Sequence, residues 1–337
     1  MKKIRLAIIG CGGFVRYHCK GIQANCPEYQ VVGLCDIIPE RAVKLRDEYF
    51  VKDDPLLFAD YRDMLKALRP DAVHVSTPHT LHFRHAYDSI LAGAHVMIDK
   101  PMVTNATQAR RLVKLAKTRK RALQIAVQGT HTDTFSYARQ IIGDGTLGKT
   151  QLITGVLAQS WMKFCKGLWR QDPKLSGGGQ LYDSCAHVIT AMLYLINSPV
   201  KEVFCWTDNK TAPVDINAVA TIKFANGAMG TITCGGNCAA WKSHVIVQGE
   251  KGMLEVSAHG GDFKVVSDHS KEPITGTPKG WKIPTVSPIR NFADVILGKA
   301  KPRCPGTLGI VMADLMDALY ASAAKNRPVK VTRSVRV

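Results

Sequence analysis

Nowhere in the 337 residues do two cysteines stand in a CxxC spacing, although the chain carries ten of them. Free buried thiols in a reducing compartment explain them better than a disulfide framework, which belongs to chains far shorter than this one. Cys11, Cys35, Cys185 and Cys205 fall in predicted core elements, so the thiols read as buried and reduced. Acidic residues are scarce as well: 27 Asp and Glu stand against 45 Lys and Arg, a formal net charge of +18. That excess raises the question of nucleic acid. The cations are scattered, however, over Lys2, Lys3 and Arg5, over Arg110 to Arg121, and over Lys299 to Arg336. With no recognisable motif and no aromatic interleaving, no nucleic-acid partner is expected. No apolar run reads as long enough to span a bilayer. The apolar stretch in MKKIRLAIIGC is too short for the core of a secretion signal, so a cytoplasmic protein is expected.

What is present is an ordinary globular balance, 46% hydrophobic and 21% charged. The length exceeds what one core usually sustains, so two domains are expected. Ile4 to Ile9, Val31 to Cys35, Ala72 to Ser76, His95 to Ile98 and Leu123 to Val127 are apolar throughout, as strands buried on both faces should be. Helix-like segments separate them, notably Pro39 to Tyr49, Thr80 to Ala92 and Thr107 to Lys120. Strict alternation predicts parallel crossovers and a doubly wound sheet over residues 1–124. Beyond it the rhythm changes. A helix at Thr132 to Ile142 and another after three glycines precede runs at Val203 to Thr207, Ala218 to Phe224, Met229 to Cys234, His244 to Gln248 and Met253 to Val256. Asn226-Gly227 and Glu250-Lys251-Gly252 mark tight turns. Residues 125–337 are therefore expected to form an α+β domain with a large, mainly antiparallel open sheet.

The first strand runs into Gly10-Cys11-Gly12-Gly13-Phe14-Val15. Glycines at a strand-to-helix turn let a pyrophosphate approach the backbone, and the helix amino end supplies unpaired N–H groups. The second strand ends at Asp36, roughly 20 residues further on, where a carboxylate would accept both ribose hydroxyls and disfavour a 2′-phosphate. Arg41 nearby softens that preference for NAD over NADP. Val15 holds the third glycine position, where a branched side chain is expected to loosen the helix–strand contact or shift the helix. Ser76-Thr77-Pro78-His79, with His82 close behind, and Asp99-Lys100-Pro101 follow the Ala72 to Ser76 and His95 to Ile98 strands, where ligands bind in open α/β sheets. In GGGQLYDSCAHVIT, residues 177–190, Asp183 and His187 lie four apart behind a seemingly loose entrance. On a helix they would be neighbours, suited to a metal site, a proton-transfer pair or plain packing. No third ligand is evident nearby, so no metal is expected.

Taken together these stretches resemble the Gfo/Idh/MocA oxidoreductase family. The resemblance rests on GCGGFVRYH, Asp36, STPHTLH, Asp99-Lys100-Pro101, GDGTLG at 143–148, WRQDPKLSGGGQLYDSCAH at 169–187, FANGAMG at 224–230 and QGEKGMLEV at 248–256. Asp99 stands where the family commonly has Glu, and Cys185 and Thr190 stand where Gly and Asp are frequent. The resemblance implies an NAD-binding Rossmann domain and a substrate-binding and oligomerisation domain. It implies hydride transfer between NAD and a carbinol of a sugar, sugar derivative or cyclitol. Lys100, Asp183 and His187 would be the catalytic set: His187 as base, Asp183 orienting substrate, Lys100 steadying the alkoxide. Gly10, Cys11, Gly12, Gly13, Phe14, Val15, Asp36, Arg41, Ser76, Thr77, Pro78, His79, His82, Asp99 and Lys100 would line the cofactor. Trp169 and Arg170 would meet the substrate together with Lys100, Asp183 and His187. A homodimer or homotetramer is implied. Two other classes within the same fold stay open: a glycosidase that recycles bound NAD, and a regulator that binds dinucleotide without catalysis.

Overall fold

Short apolar runs bounded by turn residues become strands, and the longer stretches between them become crossover helices. The computed structural model describes residues 3–268, 270 and 272–331. Lys2 and Arg336, part of the terminal basic clusters, lie outside the described residues. The first half runs β1 (Ile4–Ile9), α1 (Val15–Asn25), β2 (Tyr29–Cys35), α2 (Pro39–Tyr49), β3 (Leu56–Phe58), α3 (Tyr61–Leu68), β4 (Ala72–Val75), α4 (His82–Leu91), β5 (His95–Asp99), α5 (Ala106–Thr118) and β6 (Leu123–Ala126). All its strand pairs are parallel, in the order β3-β2-β1-β4-β5-β6. The order reverses beside β1, and β1 and β4 are adjacent there. That is the switch point at which a ligand crevice opens beyond the carboxyl ends.

The second half runs α6 (Asp133–Gly143), β7 (Thr150–Ala158), α7 (Trp161–Phe164), α8 (Pro173–Ser176), α9 (Cys185–Ile196), β8 (Val200–Asp208), β9 (Asn217–Phe224), β10 (Met229–Gly235), β11 (Lys242–Gly249), β12 (Gly252–Ser257), β13 (Phe263–Ser267), β14 (Ile274–Thr275), α10 (Pro288–Ile296), α11 (Gly306–Lys325) and β15 (Val329–Lys330). Its nine strands are ordered β14-β13-β12-β11-β7-β10-β9-β8-β15, and every pair is antiparallel except β7 with β10. The predicted mainly antiparallel sheet thus contains one parallel seam, made by β7, a strand with no counterpart among the predicted runs. One face of this sheet is covered by α9. At Gly155 an added Cβ would meet Met192 at 2.4 Å and Val188 at 2.5 Å, so only glycine lets helix and strand pack this closely.

Two compact units emerge, residues 1–126 with 286–306, and residues 127–285 with 307–337. The stretch 286–306, which the expected division at 124 assigned to the second half, groups with the first. The reason is apolar burial: Ile289, Phe292 and Ala293 of α10 are buried in one cluster with Leu6, Ile8, Val15, Cys19 and Ile22. Gln124 Nε2 also donates to Pro288 O at 2.8 Å. Helix α11 is long and apolar enough, by length and composition, to cross a membrane, contrary to the sequence expectation. It is mostly buried within the protein, as a core helix is.

Candidate active site

In the first unit the glycine loop has the shape a pyrophosphate requires. Gly10 has φ +94°, and a Cβ there would lie 2.4 Å from Ser76 O, so the turn admits only glycine. A Cβ on Gly12 or Gly13 would meet nothing within 4 Å, which leaves their backbone open to a ligand at the start of α1. Val15 opens that helix and is fully buried in the core cluster. The branched side chain expected to disturb the packing is part of it. Asp36 closes β2; its Oδ2 accepts from Cys11 N–H at 2.8 Å and its Oδ1 from Ile38 N–H at 2.9 Å. These bonds aim the carboxylate beside the loop. Arg41 Nη1 stands 3.9 Å from Oδ1 and is half exposed. Phe14 is partly exposed, whereas the Cys11 thiol is buried and its pKa is pushed up by burial and by Asp36.

At the ends of β4 and β5 a buried polar frame surrounds Asp99, the residue before Lys100. Asp99 Oδ1 accepts from His74 Nε2 at 3.1 Å and lies 3.2 Å from His18 Nε2. Ser76 Oγ donates to Asp99 Oδ2. Burial pushes the Asp99 carboxyl upward, but the two imidazoles outweigh it and hold the group well below the usual carboxylate range. Burial, followed by the neighbouring His74, lowers His18, so a neutral ring beside an ionised carboxylate is the consistent state. The three ligand-capable atoms of His18, His74 and Asp99 lie within 4.8 Å of one another, close enough to hold a metal ion. Neither His18 Nδ1 nor His74 Nδ1 has a hydrogen-bond partner, whereas ligating histidines normally donate through their second nitrogen. The group reads better as a satisfied carboxylate than as a metal centre.

His82, expected at the cofactor, is fully buried with both ring nitrogens on backbone carbonyls. Nδ1 lies 2.8 Å from Pro101 O and Nε2 2.7 Å from Thr77 O. It therefore ties the loop after β4 to the loop after β5 and has no ring nitrogen left for a ligand. Burial lowers its pKa, against the pull of Pro101 O. Pro78 precedes a single 3-10 turn from His79 to Leu81, and the buried His79 ring sits 5.8 Å from that of His82. Thr77 Oγ1 lies 3.1 Å from His85 Nδ1.

In the second unit Gly178 and Gly179 are not loose. A Cβ on Gly178 would lie 2.4 Å from the Tyr320 hydroxyl, and one on Gly179 2.0 Å from Asp215 O. Asp215 accepts from Gly179 N–H at 2.7 Å, Leu181 N–H at 2.9 Å and Tyr320 Oη–H at 2.7 Å. The segment is thereby clamped just ahead of Asp183. Asp183 itself lies in a turn before α9, not on the helix with His187 as expected. Its Oδ2 accepts from the Trp161 indole at 2.8 Å and faces Arg170 Nε at 3.2 Å, and its side chain is 5% exposed. Arg170 lies over the Trp169 ring at 4.6 Å. His187 is buried, and its ring centroid lies 4.4 Å from that of His259, which is 5.7 Å from the exposed Trp241. Trp161, Trp241 and His259, like His18 and His74, escaped the sequence reading. Their partners lie far away along the chain, and no local spacing signals them.

Comparison with known proteins gives the family. The family model described as an oxidoreductase family with an NAD-binding Rossmann fold matches residues 4–127, and the GFO/IDH/MocA C-terminal domain matches residues 135–255. The D-glucoside 3-dehydrogenase of Escherichia coli (strain K12) is 26% identical over 255 residues, covering 67% of this chain and 68% of the relative. The inositol 2-dehydrogenase of Salmonella typhimurium is 22% identical over 258 residues, covering 75% and 74%. Among solved structures, the WlbA dehydrogenase from Bordetella pertussis in complex with NADH and UDP-GlcNAcA shares the fold with a TM-score of 0.84. It is 22% identical, and the alignment covers 98% of this chain and 100% of that one.

Proposed function

The chain belongs to the Gfo/Idh/MocA family of NAD-binding oxidoreductases, and we propose that it oxidises a carbinol of a sugar, sugar derivative or cyclitol. The observation that carries this reading is the clamped turn that presents Asp183, locked by Trp161 and Arg170, just before the helix α9 that bears His187. Such bracing holds the carboxylate that orients the substrate in one position, as catalysis by positioning demands. Dehydrogenases that act on a glucoside and on inositol are among the relatives, which supports the substrate class.

The cofactor fits the residues present: the open backbone at Gly12 and Gly13 and the carboxylate of Asp36 match a pyrophosphate and a ribose diol. When bound, NAD supplies the hydride acceptor. In this reading Gly10, Cys11, Gly12, Gly13, Phe14 and Val15 form the loop under the pyrophosphate, and Asp36 with Arg41 meets the adenosine ribose. Ser76, Thr77, Pro78 and His79 flank the cofactor, while His82 and Asp99 act indirectly by holding the loops. Lys100 steadies the developing alkoxide with its ammonium charge. His187 takes the hydroxyl proton on its imidazole. Asp183 keeps Arg170 and the substrate in register with His187.

A homodimer or homotetramer is also proposed. Leu152, Met229, Met253 and Val266 are exposed, and strand register places them in one row across the uncovered face of the sheet. Such a row is what a second copy would bury. A cytoplasmic location is proposed because all ten cysteines are free and all but Cys238 are buried.

The test is a panel of sugars, cyclitols and aryl glycosides with NAD, following nicotinamide absorbance and aglycone release together. Net NAD reduction is expected. Aglycone release without net reduction would mark a glycosidase that recycles its cofactor, and NAD binding with neither signal would mark a regulator.

A further inference from the structure

Between the end of β7 and the glycine clamp runs WMKFCKGLWRQDPK, residues 161–174. It carries Lys163, Lys166, Arg170 and Lys174 against a single carboxylate, Asp172. That carboxylate is engaged at the start of α8, accepting from Lys174 N–H at 2.9 Å. The stretch is folded onto the candidate site, since Trp161 and Arg170 both contact Asp183. Arg170 is held from two sides, by Asp183 at Nε and by the Trp169 ring beneath its guanidinium. Its side chain is 30% exposed, and its closest ion-pair contact is the 3.2 Å approach of Nε to Asp183 Oδ2. An arginine so anchored and still partly exposed can offer its Nη edge to a ligand. That edge presents parallel N–H donors spaced for the two oxygens of a carboxylate or phosphate. Because the arginine is already immobilised, engaging an anion costs little further side-chain entropy. Phe164 and Leu168 are exposed on the same stretch, apolar surface beside cationic surface.

We infer that the substrate carries an oxyanion, a carboxylate or phosphate on the sugar, and that the Nη edge of Arg170 grips it. The inference rests on the proposed sugar oxidation and narrows its substrate class to acidic or phosphorylated sugars, nucleotide-linked ones included. Arg170 is then a specificity residue: Asp183 and Trp169 orient it, and Lys163 and Lys166 add attraction that salt should screen.

The experiment compares matched pairs with saturating NAD: glucose with glucuronate, glucose with glucose 6-phosphate, and N-acetylglucosamine with its uridine diphosphate conjugate. kcat/KM is read for the unmodified protein, Arg170→Gln and Arg170→Lys. The expected result is at least a tenfold preference for one charged member, with the first and second pairs separating carboxylate from phosphate. Arg170→Gln should lose at least tenfold more on the charged member than on its neutral parent, and Arg170→Lys should lose less than Arg170→Gln. A neutral parent used as well as its charged partner overturns the inference, as does an equal loss on both, which would confine Arg170 to serving Asp183. If no sugar reduces NAD, the underlying oxidation reading has failed. Calorimetric binding of each pair to the NADH-loaded protein then decides the anion contact alone, and equal binding overturns it. If Arg170→Gln does not fold, the unmodified protein is measured at low and high salt. A selective loss on the charged member supports the inference, and a salt-independent ratio overturns it.

Discussion

Gly179 and Asp215 meet backbone to backbone: a Cβ on Gly179 would lie 2.0 Å from the Asp215 carbonyl oxygen, while Gly179 N–H donates to the Asp215 carboxylate at 2.7 Å. Gly179→Ala should therefore destabilise the protein by about 2 kcal/mol or more, through overpacking and loss of that bond. Gly12→Ala meets no neighbour within 4 Å and should change stability by less than ~0.5 kcal/mol. Its Cβ should instead obstruct the cofactor and weaken NAD binding at least about tenfold, a loss of ~1.4 kcal/mol. Urea denaturation and NAD titration of the two variants separate packing from binding; equal stability of both would refute the clamp.

NAD should bind more tightly than NADP, because Asp36 accepts ribose hydroxyls and repels a 2′-phosphate. Asp36→Asn removes the charge while leaving one acceptor for the backbone N–H groups of Cys11 and Ile38. The preference should shrink about tenfold or more. Titration calorimetry with both cofactors measures it, and equal affinities in the unmodified protein would contradict the assignment.

Lys100→Met keeps the length of the side chain and removes its charge. If the ammonium acts on charge that develops only in the transition state, turnover should fall at least ~10²-fold, about 2.7 kcal/mol, with NAD affinity far less affected. Full activity would return Lys100 to a surface role.

Oxidation should fall at low pH, since a protonated His187 cannot take the hydroxyl proton. His187→Gln should lose most turnover and that acid limb while still binding NAD. Trp161→Phe removes the indole bond to Asp183, so kcat should drop by about tenfold or more, as the loss of one charge-assisted bond of roughly 1.5–3 kcal/mol allows. The pH dependence of kcat/KM in both variants checks this; an unchanged acid limb in His187→Gln places the base elsewhere.

Stability should also decline below about pH 6.5. Burial lowers His18 and His82, and it pulls His85 down to about 4. The unfolded chain then binds protons from about pH 6.5 downward that the folded state refuses, so stability is full above that value and lost toward pH 4. His85→Gln should flatten part of the slope. Denaturation midpoints at pH 7 and pH 4.5 provide the comparison, and identical slopes would exclude His85 as a contributor.

Local pattern determined much of this protein. Ile4–Ile9 reads as a strand because every residue is apolar. Its junction with Gly10, Gly12 and Gly13 reads as a phosphate loop because glycine alone tolerates such an approach. Asp36 follows from strand length, and the chain-order resemblance points to Lys100, Asp183 and His187 by residue type. β3 and β7 escaped because three residues, or the mixed polar and small residues of TQLITGVLA, carry no decisive period. Only tertiary packing decided which distant segments meet. It placed α10 in the first unit through Ile289 and Phe292, set His18 and His74 on Asp99, and brought His259 to His187 and Trp161 to Asp183. It also turned Gly178 and Gly179 of a seemingly loose stretch into a tight joint with Tyr320 and Asp215. Periodicity is a property of neighbours along the chain, whereas these contacts depend on how whole elements bury their apolar faces, and no short stretch encodes that choice.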